Sequence, residues 1–169
     1  MDPVRICSDL IKINSENPPG NTSEVAGYLG DLLSSLGIVT DIIENKLGHC
    51  NLISRRQGDP LLLCGHIDVV PALDEGWTHP PFSGFIDDTF VWGRGSTDMK
   101  GGCASLIAAI ASIIDEGLDP AVSLAFVCDE EVGGPHGIHH LLNKELLLPS
   151  DCIIAEPTPA IAPCIGQKG

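Results

Sequence analysis

Three apolar runs of the chain each stop at side chains that can hold a cation or move a proton. LLLCGHID delivers His66 and Asp68, SLAFVCDEE delivers Glu130 and Glu131, and CIIAEPT delivers Glu156. A fourth acidic residue, Asp98, sits in GRGSTDMKGG just ahead of a long apolar-periodic segment. Each has an ordinary reading on its own. Asp98 suits a helix N-cap, His66 a hydrogen-bonded core histidine, the two glutamates a solvated strand end, and Glu156 an edge residue. Together they ask for more, because adjacent carboxylates at the end of a buried strand are costly unless something positive pairs with them. One imidazole among several carboxylates suits zinc, cobalt or manganese. The spacing His66-Ile67-Asp68 returns the strand to the same face after two residues, so Asp68 is placed to support His66 from behind and fix its tautomer.

The elements that must position these groups follow from periodicity. Helices are expected over 3–15, over 22–36 closing at Gly37, over 99–119 with Leu106, Ile110, Ile113 and Ile114 on one stripe, and over 136–147. NPPGN at 17–21 reads as a loop. Segments 39–43 and 51–55 read as a strand pair, and 85–93 as a hairpin turning at Asp87-Asp88. Segments 60–70, 121–128 and 150–158 are nearly continuous apolar runs, as strands covered on both faces are. Strands alternating with helices imply an α/β fold with a three-layer α/β/α, doubly wound, mainly parallel sheet. In such sheets ligands bind beyond the carboxyl ends of the strands, where these groups fall.

Composition narrows the partners. Nine Lys and Arg against 23 Asp and Glu, a formal net charge of -14, argue against nucleic acid or an anionic membrane surface. No run approaches the ~20 apolar residues of a membrane helix. Seven cysteines without a CxxC pair, with Cys64, Cys103 and Cys128 inside apolar runs, fit reduced, buried thiols. Together with an N-terminus unlike a signal peptide, this gives the expectation of a soluble, cytoplasmic protein. Cys64 and Cys128 read as inert thiols, His136, His139 and His140 as surface residues, and His49 and His79 are unassigned. GRGSTDMKGG matches neither the dinucleotide fingerprint nor the P-loop, and no GxSxG is present.

The pieces GHIDVVP at 65–71, WTHPPFSG at 77–84, VWGRGSTDMKGG at 91–102, CDEEVGG at 128–134 and AEPT at 155–158 resemble a di-zinc family. Its members include acetylornithine deacetylase, succinyl-diaminopimelate desuccinylase, aminoacylase and glutamate carboxypeptidase. The resemblance implies two zinc ions, with cobalt or manganese as substitutes. It implies Asp98 as the carboxylate bridging both metals, followed by a cis peptide to Met99. His66 and Glu156 would complete the first metal's protein ligands, and Glu131 would bind the second. Glu130 would be the general base acting on the attacking water, with Asp68 orienting His66. Glutamate at 156, where aminopeptidase relatives carry aspartate, leans toward deacylases and carboxypeptidases.

Members of that family are roughly twice this long, and IGQKG at 165–169 resembles the junction before their inserted dimerisation or lid domain. The expectation is that residues 1–169 are the N-terminal part of a catalytic domain. The histidine completing the second metal site would then come from elsewhere, this chain alone would be inactive, and the full-length protein would be a homodimer. The leading reading is hydrolysis of the amide bond of N-acyl amino acids, in amino-acid biosynthesis. A dipeptidase or carboxypeptidase of the same family, a single-domain di-zinc aminopeptidase, and a non-catalytic metal-binding domain are the competing readings.

Overall fold

The computed structural model describes residues 1–58, 60–73, 75–148, 151–158 and 164. The segment IGQKG lies outside the described residues, and the 150–158 strand is described from Asp151 onward. The first helix, α1 (Pro3–Lys12), opens with the Asp2 side chain accepting the Val4 N–H at 2.9 Å and with proline in its first turn. It buries Ile6, Cys7, Leu10 and Ile11. The second, α2 (Ser23–Ser35), buries Val25, Ala26, Leu29 and Leu33, the i, i+4, i+8 stripe of an amphipathic helix.

A five-stranded sheet follows, built from β1 (Asp41–Lys46), β2 (His49–Ser54), β3 (Leu61–His66), β6 (Val122–Val127) and β7 (Cys152–Ile154) in the order β1-β2-β6-β3-β7. A two-stranded ribbon of β4 (Phe85–Ile86) and β5 (Val91–Trp92) stands apart. Strands β3, β6 and β7 are mutually parallel, whereas β2 runs antiparallel to β1 and to β6. The sheet is therefore parallel-rich, with an antiparallel margin where the β1–β2 hairpin joins it.

Alternation along the strands divides the core into two layers. Leu52, Leu63, Leu124 and Phe126 pack with α1, α2 and α3 (Lys100–Asp115) on one face. Ile53, Leu62, Cys64, Ala125 and Val127 pack with Leu141 of α4 (Ile138–Asn143) on the other. This is the three-layer arrangement the apolar runs imply. Five of the cysteines are buried free thiols, four of them in these layers, and burial pushes the Cys103 and Cys128 thiols up to about 12. No described helix is long and apolar enough to cross a membrane.

Several elements are shorter than their periodicity suggests. The 60–70 run stops being sheet at His66, and its last residues do something else. Val69 N–H donates to Ser15 O at 3.0 Å, Asn17 N–H donates to Val69 O at 2.8 Å, and the Ser15 hydroxyl donates to Ile67 O at 2.7 Å. The segment before the NPPG turn is thus zipped along the exit of β3, with Glu16 and Val69 forming an isolated parallel bridge.

Two packing devices brace the start of α3. The fully buried Lys100 ammonium donates to Leu10 O at 2.9 Å and Ile13 O at 2.7 Å, satisfying carbonyls at the end of α1. Burial pushes its pKa down to about 8. Gly102 lets Ala155 of the β7 exit lie directly on α3, because a Cβ there would collide with the Ala155 carbonyl oxygen. Gly102→Ala is expected to destabilise the chain by about 1–3 kcal/mol, as overpacking of a tight contact does. Urea unfolding measures this, and an unchanged midpoint at constant slope would show that the contact is not a close one.

Candidate metal centre

The parallel register places three strand ends at one rim. His66 pairs with Val127, and Cys64 with Ile154. The residues that follow each strand therefore emerge together. His66 is itself the last residue of β3 and is 2% exposed. Glu130 and Glu131 sit in a single 3-10 turn, Glu130–Val132, entered through Asp129 in the left-handed region at φ 69°. Glu156 follows β7 by two residues. Asp98 arrives from the loop before α3, followed by a cis peptide to Met99. The N-cap position of α3 is Met99, with no side-chain capping bond, so Asp98 is free of the capping role.

His66 is the hub. Its Nε2 lies 2.8 Å from Asp98 Oδ1, 3.8 Å from Glu130 Oε2 and 3.7 Å from Glu156 Oε1. Ligand atoms of His66, Asp98 and Glu131 all lie within 4.8 Å of one another. The distances to Glu130 and Glu156 are too long for hydrogen bonds, yet they match the spacing of groups ranged around a shared ion.

Behind the hub the support differs in detail from the expected one. His66 Nδ1 lies 2.9 Å from the Asp68 main-chain carbonyl, and the Asp68 carboxylate stands off at 3.7 Å. Nδ1–H therefore donates to that carbonyl, and Nε2 is the ring nitrogen that faces the rim and Asp98. The fully buried Asp68 carboxylate instead accepts the main-chain N–H groups of Glu130 at 3.1 Å and Glu131 at 3.2 Å. Glu131 Oε1 in turn accepts the Val70 N–H at 3.2 Å. Asp68 thus ties the β3 exit to the turn that carries both glutamates.

The electrostatics follow from this crowding. Burial pushes the Glu131 carboxyl above the ordinary range, and the Asp98 charge adds to it against the pull of His66. Glu156 is raised by burial first, then by Asp98 and Glu130, again against His66. Burial by itself would lower the His66 pKa, but the Asp98 hydrogen bond and the charges of Asp68 and Glu156 outweigh it and raise it. These shifts reflect clustered, partly desolvated negative charge, which a divalent cation would offset, so this donor set fits a metal.

Three residues have placements that periodicity did not reveal. Asn17, read as loop, is 5% exposed, and its side-chain nitrogen donates to Asp68 Oδ2 at 2.8 Å and Asp129 Oδ1 at 3.0 Å. His49 is 3% exposed, with Nε2 3.6 Å from Asp129 Oδ1. His136, expected at the surface, is half-buried, and its main-chain N–H donates to Asp129 Oδ2 at 3.1 Å. His49, Asp129 and His136 form a second, outer group with ligand atoms within 4.8 Å of one another. The asparagine before two prolines was the one available hint of Asn17's position; nothing in the sequence pairs His49 with Asp129.

Known proteins resemble this chain in sequence and in fold. The family model described as "Peptidase family M20/M25/M40" matches residues 62–166. A succinyl-diaminopimelate desuccinylase of Helicobacter hepaticus is 37% identical over 174 residues, covering 92% of this chain and 44% of that protein. A probable carboxypeptidase S-like 2 of Dictyostelium discoideum is 43% identical over 110 residues, covering 62% of this chain and 21% of that one. Among solved structures, the M20 family metallo-carboxypeptidase Sso-CP2 from Sulfolobus solfataricus superposes with a TM-score of 0.74 at 23% identity. It is matched over 92% of this chain and 37% of its own, and it shows the same fold. The chain therefore spans less than half the length of these relatives. By the match to more than half of its residues, and by the desuccinylase likeness over nearly all of them, the chain belongs to peptidase family M20/M25/M40.

Proposed function

We propose that residues 1–169 form the N-terminal part of the catalytic domain of a zinc-dependent amidohydrolase that cleaves the amide bond of N-acyl amino acids. The observation that carries this reading is the convergence of His66, Asp98, Glu131, Glu130 and Glu156 at one sheet rim. His66, Asp98 and Glu156 would hold one zinc, and Asp98 and Glu131 the second. Bound zinc supplies Lewis acidity toward the scissile carbonyl and acidifies water.

The protein's own groups do the rest. Glu130 is half exposed at the rim, with Oε2 3.8 Å from His66 Nε2 and, among the described residues, no lysine or arginine paired with it. It is free to take the proton of the attacking water on Oε2 and hand it to the departing amine. Asp68 holds the Glu130 and Glu131 main chain in register with His66, so the base and the ligands keep a fixed separation. The Asp68 carbonyl keeps the His66 tautomer that leaves Nε2 available.

The likeness to a desuccinylase along almost the whole chain favours an N-succinyl or N-acetyl amino acid as substrate. The carboxypeptidase S-like relative, more similar over a shorter stretch, supports a peptidase reading as the alternative. Dimerisation of the longer enzyme belongs to the same proposal.

Elemental analysis of the chain after dialysis against trace zinc is expected to find one or two ions, lost in Asp98→Ala. A folded chain that retains no zinc contradicts the reading. In the complete enzyme, Glu130→Gln is expected to keep its zinc and lose roughly 10²–10⁴-fold in kcat, the range for removing a general base. Turnover at an unchanged rate would remove Glu130 from that role. Assays side by side on N-succinyl-diaminopimelate, N-acetylornithine and a dipeptide should rank an acyl amino acid first; preference for the dipeptide selects the alternative.

A further inference from the structure

We propose that Asn17 is a positioning residue of the metal centre: its side-chain amide sets the Glu130–Glu131 turn against His66 by bridging Asp68 and Asp129. The proposal rests on the metal-centre reading above and extends it to a residue outside the rim.

Asp68 and Asp129 are 0% and 2% exposed, and among the described residues neither is ion-paired with a lysine or arginine. A buried carboxylate without a cation depends on the hydrogen bonds it accepts. Asn17 Nδ2 carries two hydrogens and has two carboxylate oxygens in reach, Asp68 Oδ2 at 2.8 Å and Asp129 Oδ1 at 3.0 Å. The opposite orientation of the amide would aim its carbonyl at both carboxylates, so the chemistry fixes which atom is nitrogen.

The two acceptors have separate duties. Asp68 receives the Glu130 and Glu131 N–H groups and holds His66 through its carbonyl. Asp129 starts the turn in the left-handed region, which aspartate reaches more readily than most residues and which hydrogen bonds to its side chain help to hold. The groups around that side chain are Asn17, the His136 N–H and His49. One amide therefore joins the carboxylate that pins the glutamates to the carboxylate that aims their turn.

Asn17 is itself fixed from both sides. Its N–H donates to Val69 O, within the zipper along the β3 exit. The chain then turns back at Gly20, at φ +82°, where a Cβ would lie 2.9 Å from Asn17 Oδ1 and 2.7 Å from His49 Nε2. The absence of a Cβ at Gly20 lets the turn close directly on the Asn17 amide. Removing its amide leaves two buried carboxylates facing each other with one donor group fewer.

The test uses the 169-residue chain, Asn17→Ala, the near-isosteric Asn17→Leu, and Asp98→Ala as reference. Zinc affinity is read by chelator competition, and amide hydrogen exchange by NMR. Expected in the Asn17 variants are a roughly 10- to 100-fold loss of zinc affinity and faster exchange at the Glu130 and Glu131 amides. Exchange in β3 and β6 should stay as in the parent, which a general packing defect would not spare. In the unaltered chain the two Asn17 Nδ2 protons should be protected from exchange. Free exchange of those protons, or folded variants with parental zinc affinity and parental exchange at Glu130 and Glu131, would overturn the proposal. Equal zinc binding by the parent and Asp98→Ala would instead overturn the metal-centre reading on which it rests.

Discussion

The rest of the structure depends on one constraint: Asp68, Asp98, Glu130, Glu131 and Glu156 crowd around a single buried imidazole at the end of a parallel-rich sheet. Like charges gathered in a partly desolvated rim raise one another's pKa values and oppose folding. The upward shifts at His66, Glu131 and Glu156 register this crowding. The chain relieves part of it by giving Asp68 main-chain donors. What is left over is a demand for a cation, and the fold is arranged to keep that demand at one point.

The arrangement works through rigid neighbours rather than through the rim itself. Strands β3 and β6 run in register, so their ends cannot drift apart without breaking the ladder between them. The 15–17 segment is zipped to the β3 exit, which stops Ile67 to Val69 from fraying into solvent. Lys100 anchors the end of α1 to the start of α3, two residues after Asp98. Gly102 brings the segment carrying Glu156 down on the same helix. Each ligand-bearing segment is therefore held by core contacts a few residues away, the condition for a preorganised site.

Much of this was legible in the sequence, for a physical reason. Apolar runs ending in His or Glu announce both the strand and its functional end, so His66, Glu130, Glu131 and Glu156 stood out together. Element lengths were less legible. The 60–70 run is apolar to its last residue, yet the sheet ends at His66: Ile67 N–H still donates to Val127 O of β6 and its side chain joins the core, whereas Val69 is buried by pairing with 15–17. Periodicity reports burial, and burial has more than one cause. The antiparallel β2–β6 pairing was hidden for a similar reason, since direction leaves no trace in a buried strand's composition. Asn17 was hidden because a loop residue carries no period, and His49 because it stands at the very start of β2, outside the apolar run that marks the strand. Their roles come from long-range contacts that a local pattern does not encode.

The claim that the rim is built for a cation is tested most directly by diffraction from zinc-soaked crystals of this chain, recorded on both sides of the zinc absorption edge. The account predicts an anomalous peak about 2.0–2.2 Å from His66 Nε2 and from carboxylate oxygens of Asp98 and of Glu131 or Glu156. Zinc scattering found only elsewhere on the molecule, with His66 still hydrogen-bonded to Asp98, would contradict it.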